Sequence, residues 1–175
     1  MRSLAGGPEL QGAVLVIHTK KNGEISEAKL EKVASRLRRA SVDQLRVVVT
    51  HQPVHVITLE DQANLLIGHE RAVRVCADAG ADVLMGGHIH LPYVRSLEGP
   101  ILGTRRRLWA VQAGTAVSHR VRGDVDNSVN VLRYTAGAAR CHVERFDYGA
   151  DGCFLAVERH ALELDRNAEL PRVSI

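Results

Sequence analysis

The residues best placed to do chemistry in this chain are His51, His88 and His90. His51 closes the valine-rich run 45–50 and is followed by Gln52-Pro53. His88 and His90 stand two apart in Gly86-Gly87-His88-Ile89-His90, directly after the short strand expected at 82–85. Neutral imidazole is a strong ligand for zinc, iron and other first-row metals. An extended backbone at 88–90 would point both side chains to one side. Gly86 and Gly87 lack side chains and let the backbone pass close to a bound ion. Pro53 stiffens the chain as it leaves the first run. Three imidazoles plus a water also make a single catalytic zinc site, so one-ion and two-ion chemistry are both open on the residues alone. A one-ion hydrolase would need a general base. The nearest acids, Glu60 and Asp61, read as solvated loop residues.

The elements that must position these histidines follow from the apolar patterning. The run 13–19 predicts a strand, Lys20 to Gly23 a turn punctuated by Asn22-Gly23, and 26–40 a helix N-capped by Ser26. Leu30, Val33, Ala34 and Leu37 recur there at helical spacing. The run 45–50 is apolar and rich in valine, the pattern of a strand buried on both faces, and 82–85 reads as another short buried strand. Between them, 54–65 reads as a loop and 67–79 as a helix ended by Gly80. Strand, helix, strand, helix, strand is an α/β order. Both histidine motifs then fall just beyond strand carboxyl ends, where open α/β sheets gather their ligands. After His90 the segments 93–97, 108–113, 128–134, 139–146 and 153–160 read as strands of an antiparallel sheet. With no linker between the two parts, 1–175 is taken as one domain.

Composition bounds the rest. The chain has 175 residues, 45% hydrophobic and 25% charged, which suffices for one domain with its own core. Aromatics are 3%, so that core must rest on Val, Leu, Ile and Ala. The net charge of +3 is scattered, and no nucleic-acid partner is expected. No apolar run reaches membrane-spanning length, and a cytoplasmic protein is expected. Cys76, Cys141 and Cys153 are odd in number and widely spaced, so they read as small core residues and not as a disulfide framework. Of the nine histidines, His18, His55, His69, His119, His142 and His160 read as surface or hydrogen-bonded core residues, with His55 and His119 nearest the proposed site in sequence.

A buried strand ending Thr50-His51-Gln52-Pro53, a helix, and a strand ending Gly86-Gly87-His88-Ile89-His90-Leu91-Pro92 together resemble the last two motifs of calcineurin-like metallophosphoesterases. The likeness extends to Val111-Gln112-Ala113-Gly114-Thr115-Ala116, to Asn127-Ser128-Val129-Asn130 and to Lys21-Asn22-Gly23-Glu24-Ile25-Ser26. It is closest to the branch that includes bacterial cyclic-nucleotide phosphodiesterases. The resemblance implies an α/β fold, part of a two-sheet sandwich flanked by helices. It also implies metal-dependent hydrolysis of a phosphoester, in particular a phosphodiester such as a cyclic nucleotide. By resemblance His51 and His88 would ligate one metal and His90 the other, the ions being drawn from manganese, iron and zinc. Arg120 and Arg122, which follow the Gly114-Thr115 turn, would be candidate contacts to a substrate phosphate. Arg105-Arg106-Arg107 could also meet phosphate but reads better as the wet end of a hairpin, and Ser118 has no base and orienter around it.

The sequence departs from the family pattern upstream. The Asp-x-His, Gly-Asp and Gly-Asn-His motifs that supply the bridging carboxylate and remaining ligands do not occur before His51. Two-metal hydrolysis clamps a phosphate between ions about 3.5–4 Å apart, and histidines alone cannot bridge them. The preferred expectation is that the native protein begins upstream of Met1, that this chain is the C-terminal portion of the domain, and that alone it binds one ion and turns over little. The alternatives are a complementing second chain, or a non-catalytic remnant serving as a binding or homo-oligomerisation module.

Overall fold

The computed structural model describes residues 13–16, 23–101, 103–104, 106–122 and 124–166. Five strands form one sheet: Ala13–Val16 (β1), Arg46–Val49 (β2), Val83–Gly86 (β3), Tyr93–Ser96 (β4) and Trp109–Gln112 (β5). Their order across the sheet is β1-β2-β3-β5-β4, all parallel except β4. Ser128–Tyr134 (β6), Arg140–Tyr148 (β7) and Phe154–Glu163 (β8) make a second, antiparallel sheet in chain order. Two helices, Glu27–Arg39 (α1) and His69–Asp78 (α2), provide the crossovers from β1 to β2 and from β2 to β3.

Alternate residues of the central strands face opposite layers. Val48, Leu84 and Ala110 pack under the helices against Leu30, Leu37, Val73 and Cys76. Their neighbours Val47, Val83 and Val111 pack on the other side against Cys141, Val143 and Leu162 of the second sheet. The molecule is therefore layered helix, sheet, sheet. A period of two with both sides buried yields the apolar stretches 47–49 of β2 and 83–85 of β3. The α/β class with two sheets is thus established.

The helix termini follow their local chemistry. Ser26 occupies the N-cap position of α1 in extended conformation, but its hydroxyl makes no capping hydrogen bond. Arg36, Arg38 and Arg39 lie in the last turn, where the helix dipole favours positive charge. After α2, Gly80 adopts φ +95°. Its N–H donates to the Ala77 carbonyl at 2.9 Å and that of Ala81 to Cys76 at 2.9 Å, the paired bonds of a Schellman stop.

Several expectations are corrected. The antiparallel part does not begin after His90, because β5 is parallel to β3 and β4 lies outside it as an edge strand of the first sheet. The loop 54–65 contains a short 3-10 helix, Leu59–Asn64. Cys76 and Cys141 are buried, and burial pushes their thiols up to about 12 and about 11. Cys153, however, is exposed. Arg106 is no wet hairpin residue. It is buried at the amino-terminal end of β5, 3.2 Å from Asp82. Asp82 is 1% exposed and also accepts from the Arg46 N–H at 2.9 Å and from Arg166 at 3.3 Å. A buried carboxylate in company with guanidinium groups is the arrangement that makes interior charge tolerable. His18, Arg105 and most of the turn 20–23 lie outside the described residues. No described helix is long and apolar enough to cross a membrane.

Candidate metal centre

The parallel register of β2 and β3, with Val49 opposite Met85, brings the two histidine motifs together at the carboxyl end of these strands. Beyond the strands the ladder continues through Thr50 N–H to Met85 O at 2.9 Å and Gly87 N–H to His51 O at 3.0 Å. The Thr50 hydroxyl donates to Gln52 O at 2.8 Å and fixes the exit from β2. His51 and His88 then meet, with His88 Nδ1 3.1 Å from His51 Nε2. The rings lie 4.8 Å apart at 66° to one another. Burial, then the neighbouring His51 and His90, lowers the His88 pKa and favours the neutral ring.

The backbone that carries His88 and His90 is not extended. His88 has φ +72° and His90 φ +59°, two of the three non-glycine residues with positive φ among those described. The Ile89 N–H donates to Gly87 O at 2.8 Å, closing a three-residue γ-turn centred on His88. Ile89 is 4% exposed and sits in the core beneath the helices. Burying Ile89 while reversing the chain forces its neighbours into the left-handed region, at a cost of about 1–3 kcal/mol each. Such cost is concentrated at sites that need a set geometry.

His90 is held differently. Its Nδ1 lies 2.8 Å from the Arg120 carbonyl oxygen. A carbonyl only accepts, so Nδ1 carries the proton, and in the neutral ring Nε2 keeps the lone pair. A hydrogen bond from one ring nitrogen to a backbone carbonyl is the usual support of a metal-binding histidine.

The turn is braced from two sides. The Gln112 amide donates to Gly87 O, and Gly86 leaves room for that side chain. A Cβ on Gly86 would also fall 3.2 Å from the Pro53 backbone. On the other side Arg122 Nη1 bonds Asp61 Oδ1 and reaches Ile89 O at 3.5 Å. Asp61 is 1% exposed, not solvated, and accepts from the Thr58 hydroxyl at 2.6 Å and from Asn64 at 3.3 Å. Burial raises the Asp61 pKa, but hydrogen bonds from Arg122, Thr58 and Asn64 outweigh it and hold the carboxyl below its ordinary range. The Arg122 guanidinium is therefore already paired. Arg120 is exposed, and its N–H donates to the Ser118 hydroxyl at 3.0 Å.

Two imidazole nitrogens on one zinc-like ion at about 2.0–2.1 Å sit about 3–3.4 Å apart. The His51–His88 separation fits one edge of such a site. Among the described residues no three or more His, Cys, Asp or Glu side chains are gathered to hold a metal. Other described histidines have other settings. His69 Nδ1 faces Leu66 O at 3.2 Å, and His160 pairs with Glu158 at 2.8 Å. Burial, then Arg95 and His69, lowers the His55 pKa, and the His55 carbonyl accepts from the Tyr93 hydroxyl. His119 is exposed.

The bracing roles of Asp61 and Gln112 were not legible as such in the sequence. Asp61 sits in a Thr58-x-x-Asp61-x-x-Asn64 spacing that provides local hydrogen bonds, but its charged partner is 61 residues away. No protein-family model matches the chain, and no curated protein matches it.

Proposed function

We propose that this chain carries the histidine side of a calcineurin-like metallophosphoesterase centre, with His51, His88 and His90 as its metal ligands. The observation that carries the reading is the approach of His88 Nδ1 to His51 Nε2, 3.1 Å apart across two parallel strand ends. The strained turn at His88 and His90 and the proton-fixed tautomer of His90 support it. A bound manganese, iron or zinc ion would supply Lewis-acid polarisation of a phosphoryl oxygen. The chain's own part is to hold neutral imidazoles beyond the carboxyl ends of β2 and β3 and to leave His90 Nε2 as an acceptor. The substrate class proposed is a phosphodiester, such as a cyclic nucleotide. Carboxylates for a second ion would have to come from residues other than those described.

The test is metal binding by the purified chain, measured by calorimetry with zinc and manganese. One ion should bind weakly to wild type. His88→Ala should lower the affinity at least about 10-fold, since it removes one of few ligands. Unchanged metal content in His88→Ala would place the site elsewhere.

A second reading, an association module that works without turnover, is favoured by one observation. Phe154, Leu155 and Val157 on edge strand β8 are 40%, 53% and 51% exposed. An open strand edge is completed by another strand. In a purified sample that strand belongs to a second copy.

A further inference from the structure

The site proposed above has a support that its histidines do not explain. The segment from Ser118 to Arg122 touches the His88-Ile89-His90 turn at two points. The Arg120 carbonyl accepts from His90 Nδ1 at 2.8 Å, and the Arg122 guanidinium reaches the Ile89 carbonyl at 3.5 Å. The same guanidinium is anchored on Asp61, a buried carboxylate fixed in turn by Thr58 and Asn64. The 58–64 loop is therefore tied through Arg122 to the turn that carries both candidate ligands, with Ile89 O as the point of contact.

We propose that Arg122, anchored on buried Asp61, is a positioning residue that locks the Ile89 carbonyl and the Arg120 segment, so that His90 presents Nε2 as its ligand atom. The inference rests on the metal-centre reading for its purpose but not for its geometry. A guanidinium suits the task because it is planar, permanently charged and able to donate to two acceptors at once. Lysine would keep the charge pair with Asp61 but could not span both acceptors in fixed geometry. Release of Ile89 O would let the strained turn relax, and the Arg120 carbonyl would lose its register with His90. Nδ1 and Nε2 would then exchange the proton freely, and the ligand lone pair would no longer be fixed.

The experiment is nitrogen-15 NMR of the histidine rings in the metal-free, full 175-residue chain at pH 8, where a free imidazole of pKa about 6.5 is neutral. Zinc titration of the same samples follows. Wild type should show His90 in the Nδ1–H tautomer. Arg122→Met should give mixed His90 tautomers and about 10–100-fold weaker zinc binding, and Arg122→Lys should recover part of both. Ser118→Ala frees the Arg120 N–H without touching buried Asp61, and it should shift the His90 tautomer even if Arg122→Met folds poorly. Unchanged His90 signals in both Ser118→Ala and folded Arg122→Met would overturn the lock. If wild type binds no zinc yet Arg122→Met still mixes the tautomers, the lock stands and the metal-centre reading fails.

Discussion

Asp61 shows how a single side chain can set a pH dependence. Its carboxylate is buried and takes hydrogen bonds from Arg122, Thr58 and Asn64, so its folded pKa lies below the ordinary value of 3.8. Protons then bind the unfolded chain more tightly than the folded one. The stability that Asp61 contributes is fully present above the unfolded pKa and is lost as pH falls through the folded one. Asp61→Asn removes that contribution. Urea denaturation should give wild type an advantage of about 2 kcal/mol between pH 5 and 7, moderated because the Arg122 side chain is 35% exposed. Below about pH 4 the gap should narrow. A gap that stays constant into acid would mean that the carboxylate is not the charged anchor of this loop. The sequence placed Asp61 near the site but assigned it to solvent, because an acid in a loop carries no local sign of burial.

At the scale of elements, legibility followed how local each signal is. The strand β6 was read with its observed limits, and α1 to within a residue at each end. Alternation and helical spacing are properties of the segment itself. Pairing partners are not, and there the reading failed for β4 and β5. Yet Leu108-Trp109-Ala110-Val111 is a continuous apolar stretch like 47–49 of β2 and 83–85 of β3, the mark of a strand with cover on both faces. The left-handed turn at His88 and His90 was missed for a related reason, since it is imposed by the burial of Ile89 in tertiary packing. The two-sheet arrangement itself makes a prediction. Leu162 of β8 is 0% exposed and packs with Val143 and Cys141 against Val83 and Val111 of the first sheet. Leu162→Ala should cost about 2–5 kcal/mol in urea denaturation, while zinc affinity measured under folding conditions stays at the wild-type level. A neutral substitution would contradict face-to-face packing of the sheets.

At the scale of the molecule, the second sheet meets solvent along β8, which within the described residues pairs only with β7. Tyr148, Phe154, Leu155 and Val157 are 46%, 40%, 53% and 51% exposed, and they cluster toward the end of this sheet remote from Leu162. Two features oppose pairing through this edge. The register slips between Arg145 and Phe146, opposite Val157, and such a bulge twists an edge away from a flat partner. Glu158 and Arg159 follow directly, and both are engaged within the chain, at 3.0 Å to Arg145 and 3.6 Å to Glu144. The charges guard one half of β8 and leave Phe154 to Val157 as the apolar half. An edge with one guarded and one open half should associate weakly and reversibly. Sedimentation velocity should therefore show a weight-average coefficient that rises with concentration. Leu155→Lys or Val157→Lys should return it to the monomer value without altering circular dichroism or zinc binding, because both lie on β8 and outside the hydrogen bonds that hold the His88–His90 turn. A monomer at every concentration would mean that the bulge and the flanking charges suffice to protect the edge. The association reading would then fall, and the histidine cluster at the carboxyl end of the first sheet would be the feature left to account for the chain's function.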